Sequence, residues 1–231
     1  MWPEQIYDRN GVLNGYGDIQ ADSRFPPKST SLTWYRRYYN LGDPEYLEAG
    51  YASCGKAVQR LRKMTRDEVN TYVTGRDFKP LGGTYHDTGM IWGTRFISPT
   101  GPFRNDTKAH PGRTEPNRHL IFMTDGEMKP NGQIYGMYGL ERFDQRVGAG
   151  DSSEEGLKKR HNARFRAVCE AAKARNITVW VIAFGQSLNS DLEACASAPA
   201  KQHAIFAGSN QALTDAFRRI AKQVASLRVY Q

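Results

Sequence analysis

The run Ile177 to Phe184 (Ile-Thr-Val-Trp-Val-Ile-Ala-Phe) constrains this chain more than any other feature. Eight residues rich in β-branched and aromatic side chains, stopped by Gly185, predict a strand. A second compact apolar run, His119 to Thr124 (His-Leu-Ile-Phe-Met-Thr), ends in Asp125-Gly126. It has the profile of a buried parallel strand that delivers a polar residue at its carboxyl end. In open α/β sheets ligands bind outside the carboxyl ends of the strands.

Between and around these runs the period changes to that of helices. Thr65-Arg66-Asp67-Glu68 has the form of a capping box and predicts a helix through about Val73. Ala57 to Met64 before it reads as a short strand. Asp87 to Ile97 predicts a helix with Met90, Ile91 and Trp92 apolar, followed a turn later by Phe96 and Ile97. Ser152-Ser153-Glu154-Glu155 reads as a second capping box, opening a long helix that turns Leu157, Phe165, Val168 and Ala172 inward and ends near Asn176. A short helix over Ser190 to Ala196 and a strand over Ala204 to Phe206 follow. The last helix sets Leu213, Phe217, Ile220, Val224 and Leu227 on one stripe, which should dock on the sheet. Strands alternating with helices predict an α/β fold, a doubly wound and mostly parallel sheet covered on both faces.

Residues 1–53 differ. They are rich in Tyr, Gly, Pro and Asp, with turn pairs such as Asn10-Gly11 and Pro26-Pro27 and little periodicity. The organisation read from the sequence is an irregular segment over 1–53 and a regular domain over 54–231.

The chain has 231 residues, 39% of them hydrophobic, enough to bury a core. A formal net charge of +8 makes nucleic acid, anionic lipid or acidic glycans electrostatically possible partners. The basic residues are scattered, however, and their short clusters at Arg62-Lys63, Lys158-Lys159-Arg160 and Arg218-Arg219 fall on helices or helix edges, as a solvated surface requires. No nucleic-acid motif accompanies them. Cys54, Cys169 and Cys195 are too widely spaced for a zinc ribbon. Cys169 and Cys195 flank the Ile177 to Phe184 strand and could meet in the fold. The sequence contains no apolar run of about 18 residues and opens without the basic and apolar segments of a secretion signal.

Two loops carry the chemistry: Gly82-Gly83-Thr84 before a helix, and Thr124-Asp125-Gly126 after a buried strand. Both should lie on one edge of the sheet. A hydroxyl at Thr84 and a carboxylate at Asp125, with glycines admitting close backbone approach, could hold a hard divalent cation through oxygen. Either loop alone also reads as a cap or a turn. His86-Asp87 and His161 have the residue types of acid–base chemistry, but no Gly-x-Ser-x-Gly elbow or other nucleophile constellation accompanies them, and a structural role is the simpler reading. Glu141 and Asp144 could extend the cation site; solubilising the loop is the favoured reading.

In this order and with these flanking elements the two loops resemble the von Willebrand factor A domain over about residues 57–228. Leu61 to Thr65 is similar to the run before a helix of that family, Gly82-Gly83-Thr84 to its second metal loop, and Phe122-Met123-Thr124-Asp125-Gly126 to its third. The stretch Asn176 to Gly185 with the terminal helix is similar to its last long strand and closing helix. Thr84 to Gly93, Ser98-Pro99-Thr100-Gly101 and Arg160 to Phe165 resemble the carboxyl-terminal part of the TadG-like proteins of tight-adherence (Flp) pilus assembly. That resemblance implies a metal-ion-dependent adhesion site, an amino-terminal membrane anchor, an extracytoplasmic location in the cell envelope, a protein partner in pilus assembly or surface attachment, and no catalysis or small-molecule substrate.

The chain departs from the family in one respect: the Asp-x-Ser-x-Ser loop after a central strand is absent. Thr84 and Asp125 then offer two protein oxygens, against the roughly six to eight that calcium takes, so Mg2+ or Mn2+ would need water to complete its shell. The expected fold is a partial domain without its first central strand, whose neighbours need cover from residues 1–53 or from another chain. The reading that accounts for both losses is a carboxyl-terminal part of a longer anchored protein. Its rival is a basic domain that binds nucleic acid or an anionic surface.

Overall fold

The computed structural model of the chain describes residues 5–7, 13–16, 56–75, 78, 83–109, 111–132, 135–141, 145–148, 150–151 and 153–226. The elements in chain order are β1 (Gln5–Tyr7), β2 (Leu13–Tyr16), α1 (Arg66–Val73), α2 (His86–Ile97), α3 (Arg104–Thr107), β3 (Arg118–Thr124), β4 (Tyr135–Gly136), β5 (Gly139–Leu140), α4 (Glu154–Lys173), β6 (Ile177–Phe184), α5 (Ser190–Cys195), α6 (Ala200–His203), β7 (Ala204–Ala207) and α7 (Asn210–Ser226). They fall into two units, residues 1–59 with 63–82, and residues 60–62 with 83–231.

In the first unit β1 and β2 pair antiparallel as a hairpin, regular structure that the turn-rich composition of this segment did not announce. Helix α1 starts where the capping box places it. Glu68 N–H donates to Thr65 Oγ1 at 3.2 Å and Thr65 N–H donates to Glu68 Oε2 at 2.7 Å, so two otherwise orphaned donors are satisfied. Residues 57–64 are not a strand, contrary to expectation. Val58 and Leu61 are exposed, and with basic side chains interleaved the segment has no apolar face to bury.

The second unit is built on a three-stranded parallel sheet in the order β3-β6-β7. Arg118 pairs with Ile177 and Thr124 with Ala183 along β3 and β6, and Val181 pairs with Ala204 along β6 and β7. Helix α4 connects β3 to β6, and α5 with α6 connects β6 to β7. One face packs Leu120, Val179, Val181 and Ala183 against Met90 of α2, Phe165, Cys169 and Ala172 of α4, and Leu192 and Cys195 of α5. The other packs Trp180, Ile182, Ile205 and Ala207 against Ala216 and Ile220 of α7. Helices on both faces of a small parallel sheet bear out the α/β expectation at this level. No described helix is long and apolar enough to cross a membrane.

Several boundaries differ for local reasons. The cap of α4 is Ser153, whose side chain accepts from Gly156 N–H at 3.0 Å, with no reciprocal bond because the third helical position is glycine. On α7 it is Ala216 that enters the core, while Phe217 remains 41% exposed; the apolar stripe is wider than the surface it meets. Leu227 lies outside the described residues. Cys169 and Cys195 form a disulfide, with Cα atoms 5.0 Å apart, tying α4 to α5. Cys54 lies outside the described residues.

Candidate functional site

Helix α2 begins at His86, and the residues just before it are stitched to the segment that follows the Asp125 loop. Thr84 N–H donates to Lys129 O at 2.8 Å and Lys129 N–H to Thr84 O at 3.0 Å. The Tyr85 hydroxyl donates to Asn131 O at 3.0 Å and accepts from Asn131 N–H at 2.9 Å. Burial raises the Tyr85 pKa, which keeps the hydroxyl a donor. Only glycine fits at 83, since a Cβ there would collide with the Lys129 carbonyl oxygen. The two loops singled out in the sequence therefore do converge.

The Asp125 turn is held from beneath. Gly126 O accepts from Thr124 Oγ1 at 2.9 Å, from His86 Nε2 at 3.1 Å and from Gln186 Nε2 at 2.6 Å. His86 Nε2 also lies 3.0 Å from Thr124 Oγ1. A carbonyl can only accept, so the His86 proton is assigned to Nε2. Burial lowers the His86 pKa and keeps the ring neutral. Gln186 arrives from the end of β6, just past Gly185, whose φ of +69° ends the strand in a conformation that suits glycine. Thr84 Oγ1 stands 4.0 Å from the point where a side chain on Gly126 would begin. Above this lattice Asp125 is exposed, and its carboxylate takes no hydrogen bond or ion pair among the described residues.

The donor set is thin for a cation. Thr84 and Asp125 bring one hydroxyl and one carboxylate, and among the described residues no three His, Cys, Asp or Glu side chains are grouped to hold an ion. Such a set does not hold a divalent ion tightly without water or a further ligand.

Beside the site, Asp87 Oδ2 accepts from His161 Nδ1 at 2.9 Å and lies 3.4 Å from Nε of Arg164, whose side chain reaches the surface. The Asp87 and His161 side chains are buried, and the Arg164 guanidinium stacks 4.4 Å from the Tyr138 ring. This group joins α2 to α4. An imidazole whose partners are a buried carboxylate and the edge of the Tyr85 ring is positioned to hold two helices together. Glu141 is not a solubilising residue. It is 6% exposed, and its Oε1 accepts from the backbone N–H groups of Val147 and Gly148, clamping the loop between β5 and α4. Asp144 lies outside the described residues.

Thr84 and Asp125 were legible from their glycine-flanked loops. His86 and Gln186, which set the loop geometry, were not read as loop anchors; the signal for Gln186 was its place directly after a strand-ending glycine. No family model matches the chain, and neither a similar curated protein nor a similar solved structure was found.

Proposed function

We propose that the chain is a non-catalytic, protein-binding module that presents Asp125 to a partner from the carboxyl edge of its parallel sheet. The observation that carries this reading is the contrast at Gly126. Three side-chain donors hold its carbonyl, while the neighbouring Asp125 carboxylate is exposed and uncommitted. A carboxylate on a turn held by three side-chain hydrogen bonds costs less ordering entropy on binding than one on a free loop. Its resemblance to the adhesion domain of TadG-like pilus-assembly proteins makes the partner a component of pilus assembly or surface attachment. The same resemblance puts the domain outside the cytoplasm, where the Cys169–Cys195 disulfide would persist.

A divalent cation plays a secondary part. With two protein oxygens, Mg2+ or Mn2+ would bind weakly, with water completing its shell. Amide NMR spectra recorded during addition of Mn2+ test this. Broadening centred on residues 83–86 and 124–127 that disappears in Asp125→Ala is expected. Broadening spread over other acidic residues and untouched by Asp125→Ala would remove any metal role. A partner captured with equal affinity by wild type and Asp125→Ala would overturn the binding reading itself.

A further inference from the structure

Four consecutive residues at the start of α2, Thr84 to Asp87, are each bound to a residue distant in sequence. Thr84 exchanges two backbone hydrogen bonds with Lys129, the Tyr85 hydroxyl holds both backbone groups of Asn131, and His86 Nε2 lies 3.1 Å from Gly126 O. These three grip the chain from Gly126 to Asn131, directly after Asp125. The fourth, Asp87, is tied to another element: its side chain is fully buried, and Oδ2 accepts from His161 Nδ1 of α4 at 2.9 Å. The His161 ring also meets the Tyr85 ring edge to face, with centroids 5.1 Å apart. One side chain of α4 thus touches two of the four residues.

We infer that His161 is a positioning residue of the Asp125 turn, acting from α4 through Asp87 and Tyr85. The other contacts between these helices are apolar: Met90 packs in the same cluster as Phe165, and the His86 ring stands 5.5 Å from the Phe165 ring. Such contacts have no preferred direction and tolerate a small slide or rotation of a helix. A hydrogen bond to a buried carboxylate is directional, and its strength in a dry interior makes it costly to stretch. A carboxylate accepts, so the proton is on His161 Nδ1. Arg164 Nε at 3.4 Å adds charge to this pair but no hydrogen bond. Asp87 is the residue next to His86, so fixing it fixes the first turn of α2 and the three grips that the turn carries. The consequence for a partner rests on the Asp125 binding reading, whereas the coupling of α4 to the turn does not.

Native-state amide hydrogen exchange of the whole chain tests the coupling without a partner. The amides of Thr84, Lys129 and Asn131 report the grips, and those of Val179 to Ala183 report the core. The double variant Asp87→Ala/His161→Leu removes the buried charge together with its donor, a kind of replacement that often leaves stability unchanged or raised. It is expected to speed exchange at the three grip amides at least about tenfold while the core amides stay slow. His161→Asn puts a side-chain N–H where Nδ1 stands and is expected to keep wild-type protection. His161→Gln, whose N–H falls where Nε2 stands, is expected to lose it at the grips. Should the double variant not fold, the Asn and Gln variants decide alone. Unchanged grip exchange in the double variant would overturn the inference. So would acceleration shared equally by the core amides, a His161→Asn chain that loses protection, or Asn and Gln variants that behave alike. Partner capture indifferent to Asp125→Ala removes the binding reading and leaves the coupling standing.

Discussion

Strands β3 and β6 are built from similar sequences and live in different surroundings. Each carries a run of large apolar residues, and they pair along seven registered positions. Yet β6 is buried from Val179 to Ala183 on both faces, while β3 alternates between Leu120, 8% exposed, and Met123, 50% exposed. Position in the sheet makes the difference. Strand β6 lies between β3 and β7, and even its first half, which β7 does not reach, is closed by Ser197: its N–H donates to Val179 O and its hydroxyl accepts from Val179 N–H, both at 2.9 Å. Among the described residues strand β3 has a strand neighbour on one side and a helix layer over one face. Hydrophobicity makes a strand; its burial depends on what surrounds it.

The comparison can be broken most severely at Trp180, which is 1% exposed beneath α7. Trp180→Ala should cost about 3–5 kcal/mol in urea unfolding, through lost burial and the cavity left behind. A cost under about 1 kcal/mol would mean that the α7 face of β6 is not closed. Next, the Cys169–Cys195 disulfide pins α4 and α5 over the opposite face. Replacing both cysteines by alanine should cost about 3 kcal/mol by the same measurement.

Acid should act more gently. Burial lowers the pKa of both His86 and His119, and for His119 the neighbouring His203 adds to the effect. Above the ordinary histidine value of about 6.5 neither folded nor unfolded chain carries these protons, and they do not affect stability. As pH falls through that value the unfolded chain is protonated first, so stability declines until the depressed folded values are reached. Unfolding midpoints measured from pH 7.5 downward should show this decline, and His119→Phe should make it shallower. The smallest effect belongs to β3's exposed face. Met123→Ser should change the stability of the isolated chain by no more than about 0.5 kcal/mol, in contrast to Trp180 across the ladder.

Much of the candidate site was legible as well. Glycines at 83 and 126 beside an oxygen-bearing residue mark loops where backbone comes close, and both loops were read from that pattern. The anchoring of Gly126 O was not, because His86 and Gln186 are separated from it by 40 and 60 residues. No spacing rule connects residues that meet only after the sheet has formed. Glu141 illustrates the same limit: an acid in a glycine-rich loop reads as solubilising until the loop folds back and offers it two N–H donors.

The elements follow from local chemistry along the chain: where β6 begins and ends, that Thr65 caps α1, that α4 and α7 have one apolar face, and that strands alternate with helices. Those properties depend on interactions within a few residues, on periodicity, capping and backbone preference. Packing, by contrast, settles that β3 has a single strand neighbour among the described residues, that Ala216 rather than Phe217 enters the core, that His161 joins Asp87, and that Asp125 stands exposed on a turn held by three side chains. Each of these turns on which distant surface arrives alongside. That is decided by the packing of whole elements, in which a side chain's burial is a property of its neighbours as much as of its own chemistry.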